Sequence, residues 1–200
     1  IDSYRKVGAI THVGQDEEAA GRAVGERLTA MQLSGNILCV IQELDNIGLE
    51  QRCEGVEATY TGGEVVPLRK YQLEAAEAIS MISGELEKGG YAAVVTLNGL
   101  QGLHALDAVR ATQVDAVVTT FDFHPAMAED LRTGAIAFTI DQRAYLEATT
   151  ILGRVLAERG AHDEQEVRRA LRHAAFSASN PSETRGASAA PAATGSGEEE

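Results

Sequence analysis

Hydrophobic and polar positions along the chain alternate between short apolar runs and longer segments in which apolar residues recur at helical spacing. The apolar runs predict strands at residues 7–14, 36–42, 62–68, 91–97, 115–121 and 134–140. The segments between them predict helices at residues 16–33, 45–60, 71–88, 100–111, 125–132 and 142–159. Such alternation is typical of a parallel sheet covered by helices. We therefore predict an α/β fold with three layers.

The same spacing predicts which side of each helix faces the core. In the helix at 16–33 the inward residues are Ala20, Val24, Leu28 and Met31. In the helix at 71–88 one face holds Leu73, Ala76, Ile79 or Ser80, and Ser83, and beside it lie Met81, Ile82 and Leu86. Pro67 predicts that the strand at 62–68 ends there or lies at a sheet edge, because proline lacks a backbone donor.

The character of the chain changes after residue 160. Residues 161–176 are compatible with one more helix, for which Asp163 is the predicted cap. From Ser177 onward the chain is mainly Ser, Ala, Gly and Pro and ends in three glutamates, so residues 177–200 are predicted to be a disordered tail.

Composition narrows the classes of function. The net charge of −13 argues against a nucleic-acid-binding surface, which needs clustered Lys and Arg. The hydrophobic share of 44% and charged share of 24% are those of an ordinary globular chain, and no apolar run is long enough to span a bilayer. The two cysteines, Cys39 and Cys53, are equally compatible with buried thiols and with one disulfide.

Polar side chains follow the predicted strands at the points where the strands end. In open α/β sheets, ligands bind outside the carboxyl ends of the strands, so these residues are predicted to meet at one edge. They are Glu43 and, a helical turn later, Arg52; Asn98; Asp122, which is flanked by Phe121 and Phe123; and Asp141 with Gln142.

This set of side chains is suited to hydroxyl groups. Asp122 accepts hydrogen bonds, Arg52 donates them in a fixed fork, and Asn98 and Gln142 do both. The aromatic side chains of Phe121, Phe123 and Tyr145 are predicted to cover apolar faces of the ligand. The set therefore predicts a monosaccharide or polyol site, although each residue taken alone is also a common helix cap or turn former.

Other candidate chemistry is weaker. His12 and His124 have no ligand-spaced partners, so no metal is predicted. No phosphate-binding loop or nucleophile elbow is present, which argues against a cofactor and against an enzyme. The pair Glu17 and Glu18 and the terminal glutamates are predicted to be solvated charge.

Four segments carry a family resemblance. They are "HVGQDEEAAGRAVGERL", "LEQRCEG", "VVTLNGLQGLHALDAVRA" and "FDFHPAMAEDLRTGAIAFTIDQRAYLEA". In this order they resemble the sugar-binding proteins of ABC importers, in the type I periplasmic binding protein superfamily, over residues 7–160. The resemblance implies a flavodoxin-like or Rossmann-like lobe in which Arg52, Asn98, Asp122 and Gln142 contact the sugar. It also implies a Cys39–Cys53 disulfide, a periplasmic or other extracytoplasmic location, and the importer's membrane subunits as partners.

The chain departs from this family's pattern of two similar lobes that close on the ligand. The resemblance assigns residues 16–141 to one lobe, and residues 1–15 and 142–160 to a crossover strand and a helix of the other. We therefore expect half of the ligand contacts to be missing and sugar binding by this chain to be weak or absent. The strand at 7–14 and the helix at 142–159 are expected to expose apolar faces and favour self-association.

Two other functions are compatible with such a lobe. One is the effector-binding lobe of a lac-repressor-like transcription regulator, which shares the fold and would keep its cysteines as free thiols. The other is an enzyme on a flavodoxin-like sheet, for which the sequence places no nucleophile, metal or cofactor motif. The implied disulfide and the "TIDQRAY" segment favour the importer component.

Overall fold

The structure is a computed structural model that describes residues 15–69 and 74–142. The predictions for residues 7–14, 143–159, 161–176 and 177–200 lie outside these residues, so the division into a lobe and flanking segments stays a prediction. The strands are β1 Asn36–Ile41, β2 Val65–Arg69, β3 Tyr91–Thr96, β4 Val117–Phe121 and β5 Phe138–Ile140. The helices are α1 Glu17–Ala30, α2 Ile47–Thr59, α3 Ala75–Leu86, α4 Gly99–Thr112 and α5 Ala128–Thr133, with a 3-10 turn at Pro125–Met127.

The strands form one parallel sheet in the order β2-β1-β3-β4-β5. This confirms the α/β prediction. The chain reverses its direction of winding between β1 and β3, which is where open α/β sheets bind ligands. Pro67 lies within β2 opposite Cys39, and β2 is an edge strand, as its missing donor requires.

Helices cover the two faces of the sheet and enclose two separate cores. On one face α1 and α2 bury apolar side chains that include Val24, Leu28, Val56 and Ile37. On the other face α3 and α4 bury a second set that includes Ile82, Leu86, Leu106 and Val94. Since both faces are covered, β1 and β3 are apolar at nearly every position, as strands of a parallel sheet are.

Glycines let α1 and α2 lie against each other with their backbones in contact. A Cβ atom added at Gly21 would lie 2.1 Å from the backbone oxygen of Arg52. Additions at Gly25 and Gly55 would lie 2.5 Å from the oxygen of Val56 and 2.3 Å from that of Glu18. This close approach brings the first turn of α1 against the middle of α2.

A disulfide joins Cys39 in β1 to Cys53 in α2, with 6.0 Å between the two Cα atoms. This confirms the pairing that the family resemblance implied. Both residues belong to the core beneath α1 and α2. The bond therefore ties α2 to the centre of the sheet one residue away from Arg52.

Three local predictions were wrong. Met31 is 40% exposed, because α1 ends at Ala30 and Met31 is its C-cap. The buried stripe of α3 is Ala78, Ile82 and Leu86; Ile82 and Leu86 were predicted to lie beside the apolar face, whereas Ala76, which was predicted to lie on that face, is exposed. The strand predicted at 134–140 is only Phe138–Ile140, because Gly134, with φ of 79°, ends α5 in the left-handed conformation.

Candidate functional site

Arg52 is buried in α2, and all three of its side-chain nitrogens donate hydrogen bonds. Its Nε donates to Glu17 Oε2 at 2.6 Å, its Nη1 to the backbone oxygen of Leu97 at 3.0 Å, and its Nη2 to Gln142 Oε1 at 2.7 Å. The guanidinium carbon lies 4.6 Å from the centre of the Phe121 ring. Arg52 therefore lies below the carboxyl edge of the sheet, where the protein itself satisfies these donors.

Gln142 connects Arg52 to Asp122. Its Nε2 donates to Asp122 Oδ1 at 2.7 Å while its Oε1 accepts from Arg52. Arginine has no acceptor, so the amide oxygen of Gln142 must face it and the amide nitrogen must face Asp122. We refer to Glu17, Arg52, Gln142 and Asp122 as the polar relay.

Asp122 follows β4 directly and has a left-handed backbone with φ of 61°. Aspartate is one of the few residues that tolerates this conformation, and its backbone nitrogen donates to the oxygen of Ile140 at 2.8 Å. Such backbone positions concentrate at functional sites. Within residues 15–69 and 74–142 no hydrogen bond engages Oδ2 of this partly exposed carboxylate.

Asn98 follows β3 and caps α4, where its Oδ1 accepts from the backbone nitrogen of Gln101 at 2.8 Å. The helix start lies against the Asp122 segment, because a Cβ added at Gly99 would be 2.8 Å from the Asp122 backbone oxygen. The capping interpretation is thus correct for the amide oxygen of Asn98. The cap does not use Nδ2 of Asn98, and the start of α4 lies against the Asp122 backbone.

The other two predicted site residues are not part of the polar relay. Glu43 is exposed after β1, and its Oε2 accepts from Asn46 Nδ2 at 2.8 Å. Phe123, the residue after Asp122, is 53% exposed, so its ring is accessible to solvent. The structure thus brings Arg52, Gln142, Asp122 and Asn98 together and leaves Glu43 with the cap of α2.

The prediction that Phe121 lines the ligand was wrong. Its side chain is fully buried in the core beneath the Arg52 guanidinium, which it supports rather than covers a ligand. Tyr145, the third predicted aromatic wall, lies outside the described residues. His124 caps the 3-10 turn by accepting from the backbone nitrogen of Ala126 at 3.2 Å.

Glu17 is the residue of this candidate site that sequence reasoning missed. It was predicted to be solvated like Glu18, yet its carboxylate pairs with Arg52, and its side chain is 22% exposed. Glu18 does behave as predicted, because it forms an exposed ion pair with Arg22 one turn away. Only Glu17 reaches Arg52, since α1 begins against α2 through the glycine contacts. The helical spacing does separate these two glutamates: Glu17 lies three residues before Ala20 and seven before Val24, on the buried side of α1, whereas Glu18 lies on the side of exposed Arg22.

Asp122 is expected to titrate above the ordinary aspartate value of 3.8. Burial raises the pKa of its carboxyl and outweighs the opposing effects of the Gln142 hydrogen bond and the Arg52 charge, while Asp141 and Glu17 raise it further. A pH titration of the side-chain carbon by NMR, assigned with Asp122→Asn, measures this midpoint. A midpoint at or below 3.8 would contradict the expectation.

The raised pKa has a consequence for stability. The folded chain holds the Asp122 proton more tightly than the unfolded chain does, so ionised Asp122 destabilises the fold at neutral pH. This penalty shrinks as the pH falls from the folded pKa toward 3.8 and is absent below that value. Asp122→Asn, which keeps an oxygen for Gln142 and tolerates the left-handed backbone, is therefore expected to be no less stable than the wild type at neutral pH.

Solved structures of transport-related binding proteins share this fold. A carbohydrate transporter from Acidothermus cellulolyticus 11B in complex with myo-inositol is 31% identical, with a TM-score of 0.67, over 74% of this chain and 51% of that one. An ABC transporter solute-binding protein from Burkholderia multivorans, with an unknown ligand represented as α-D-erythrofuranose, is 23% identical, with a TM-score of 0.68, over 82% and 60%. One from Actinobacillus succinogenes 130z with bound D-allose is 19% identical, with a TM-score of 0.70, over 82% and 60%.

The chain therefore spans roughly half to three fifths of the length of these structures. No match was found among curated proteins. Within the described residues no group of three or more His, Cys, Asp or Glu is placed to hold a metal ion, and no helix is both long and apolar enough to cross a membrane. The family model described as "Periplasmic binding protein domain" matches residues 1–156. The chain belongs to this periplasmic binding protein family, and its described residues form the five-stranded lobe of the type I architecture.

Proposed function

We propose that the chain supplies the sugar- or polyol-binding lobe of the solute-binding component of an ABC importer, and that it binds without catalysis. The observation that carries this proposal is the orientation of Asp122. Among the described residues the polar relay engages one oxygen of this carboxylate and no hydrogen bond engages the other, the start of α4 after Asn98 lies against the Asp122 backbone, and Phe123, the next residue, is exposed. A fixed acceptor, a neighbouring amide and an exposed ring match the hydroxyl groups and apolar faces of a sugar.

The residues have separate roles in this proposal. Asp122 accepts hydrogen bonds from ligand hydroxyls, the amide of Asn98 donates to them, and the ring of Phe123 packs on C–H groups. Gln142 holds the carboxylate in place, and Arg52 holds Gln142. Positioning Asp122 is their main role, and direct contact with the ligand is a second one. A buried arginine suits positioning when each of its three side-chain nitrogens already donates a directed hydrogen bond to the protein, as in Arg52.

Two observations support an extracytoplasmic importer component over a cytoplasmic regulator. The Cys39–Cys53 disulfide is typical of proteins in oxidising compartments. The family description and the carbohydrate transporter that is 31% identical point to the same setting. The membrane subunits of such an importer are the proposed partners.

Binding of uncharged sugars is the test of this proposal, and Asp122→Asn is the decisive variant. We expect D-glucose, D-allose or myo-inositol to shift the amide NMR signals of Asn98, Asp122, Phe123 and Gln142, in a titration that detects weak binding. Asp122→Asn turns a donor toward the ligand instead of an acceptor. Because hydrogen bonds to charged groups contribute about 1.5–3 kcal/mol, affinity should fall roughly tenfold or more.

Asp107→Asn is the matched control. Asp107 is an exposed aspartate of α4 whose only ion pair is a 3.9 Å contact with Arg110 among the described residues, and its replacement changes the net charge equally. It should leave the affinity unchanged. Because this lobe supplies only half of the cleft, we expect its binding to be weak but measurable. The proposed function is wrong if no uncharged sugar perturbs the strand-end residues of the wild type at high ligand concentration, or if both variants weaken binding to the same extent.

A further inference from the structure

Glu17 adds a negative charge next to Arg52, and this charge changes the net charge of the candidate site. The polar relay holds one guanidinium, that of Arg52, and two carboxylates: Glu17 contacts Arg52 directly, and Asp122 is linked to it through Gln142. The relay therefore carries one net negative charge, and Asp141 adds another near Asp122. Without Glu17 the two remaining charges of the relay would cancel. The position of Glu17 is specific, since its oxygen lies 2.6 Å from Arg52 Nε and the arginine side chain is only 5% exposed.

Arg52 would otherwise be the natural partner of an anionic ligand. Guanidinium groups bind carboxylates and phosphates through paired donors, and they do so most strongly where water is excluded. Here Nε is engaged by Glu17 and Nη2 by Gln142, so the fork is already engaged by groups of the protein. An anion at the edge of the sheet would meet Asp122 with no uncompensated positive charge behind it.

We propose that Glu17 is a specificity-determining residue, whose carboxylate cancels the charge of Arg52 so that the site accepts uncharged polyols and rejects ligands bearing a carboxylate or phosphate. This inference rests on the proposed sugar-binding function and names the charge class of its ligand. Glu17 acts through Arg52 and Asp122 and not by touching the ligand. It is therefore a positioning residue whose effect depends on ligand charge.

Glu17→Gln is the test, because it removes the charge and keeps the shape of the side chain. We compare D-glucose with D-glucuronate, which differ by a hydroxymethyl group against a carboxylate, by NMR titration of the whole chain. In the wild type glucose should bind more tightly than glucuronate, which sets the reference ratio of the two affinities. In Glu17→Gln the ratio of glucuronate to glucose affinity should rise by roughly tenfold or more, since a 1.4 kcal/mol change in preference is tenfold.

Glu18→Gln is the matched control, because Glu18 is the next residue of α1 and pairs only with Arg22 on the exposed surface, among the described residues. It changes the net charge of the chain equally and should leave the affinity ratio unaltered. Glu17→Asp retains the charge and should keep the preference for glucose. If Glu17 has only a structural role, Glu17→Gln should lower the affinities for glucose and glucuronate by the same factor and leave their ratio unchanged.

The titration of Asp122 gives a second readout that needs no ligand. Glu17 raises the pKa of Asp122 and Arg52 lowers it, so Glu17→Gln should lower that pKa and Glu18→Gln should not. If glucose binds but the affinity ratio and the pKa stay fixed in Glu17→Gln, the inference is overturned and the proposed function stands. If the wild type binds neither sugar, the proposed function is overturned and the ligand class inferred for it falls as well.

Discussion

Gly21→Ala is expected to lower the free energy of unfolding by about 3 kcal/mol, the upper part of the range for overpacked sites. The new Cβ would lie 2.1 Å from the backbone oxygen of Arg52, 2.9 Å from its carbonyl carbon and 3.0 Å from its Cα. All three atoms belong to the backbone, so no side chain can rotate to relieve the overlap. The helices α1 and α2 must therefore separate, which also moves Glu17 away from Arg52.

Gly84→Ala is the matched control for this prediction. Gly84 lies in α3, and a Cβ added there has no atom within 4 Å. Since alanine favours a helix over glycine by about 1 kcal/mol, the control should be neutral or slightly stabilising. Urea unfolding of both variants measures the difference, and equal midpoints would show that α1 and α2 do not touch as closely as described.

The fold was largely predictable because parallel sheets leave a strong pattern in the sequence. Runs such as Asn36–Ile41 and Tyr91–Thr96 are nearly continuous in apolar residues, and polar segments with capping residues separate them. Asp16, Asn46 and Asn98 each cap the helix that follows. The capping side chain and the change in hydrophobic periodicity determine where a helix or strand lies. The burial of its individual residues depends on neighbours that are distant in sequence.

The buried face of α3 illustrates this limit. Its sequence mixes Ala, Ser, Gly and Met, so apolar and small residues occur on several sides of the helix. The face that is buried, through Ala78, Ile82 and Leu86, is chosen by contact with the second core. Phe121 was misassigned for a related reason. In a strand with both faces covered, every side chain is buried, and the pattern does not indicate which residue points to the ligand.

In the candidate site, too, some features could be predicted from the sequence and others could not. The residues that follow β3, β4 and β5 could be predicted to lie together, because the ends of parallel strands meet at one edge. The contact of Arg52 with Glu17 spans 35 residues and depends on the glycine-mediated approach of α1 to α2. Sequence reasoning counted Arg52 among the expected ligand contacts, and the structure adds that its side chain is buried and hydrogen-bonded to Glu17 and Gln142.

Reduction of the Cys39–Cys53 disulfide is expected to destabilise the chain by about 3 kcal/mol, the value for a closed loop of about 15 residues. The two cysteines are 14 residues apart, and both lie in the core, so the thiols remain packed after reduction and the main effect is a less restricted unfolded chain. Without the bond α2 is held less firmly against β1, so the position of Arg52, the residue before Cys53, is also expected to become less fixed.

Urea unfolding with and without reductant measures the contribution of this bond. The double variant Cys39→Ala/Cys53→Ala is the control, because it loses buried sulfur atoms and should be less stable under both conditions but insensitive to reductant. The unfolding midpoint of the wild type should fall toward that of the double variant only when the disulfide is reduced. If thiol titration shows full reduction and the unfolding midpoint of the wild type does not move, the bond does not stabilise the lobe, and the packing of α1 and α2 alone holds Arg52 in position.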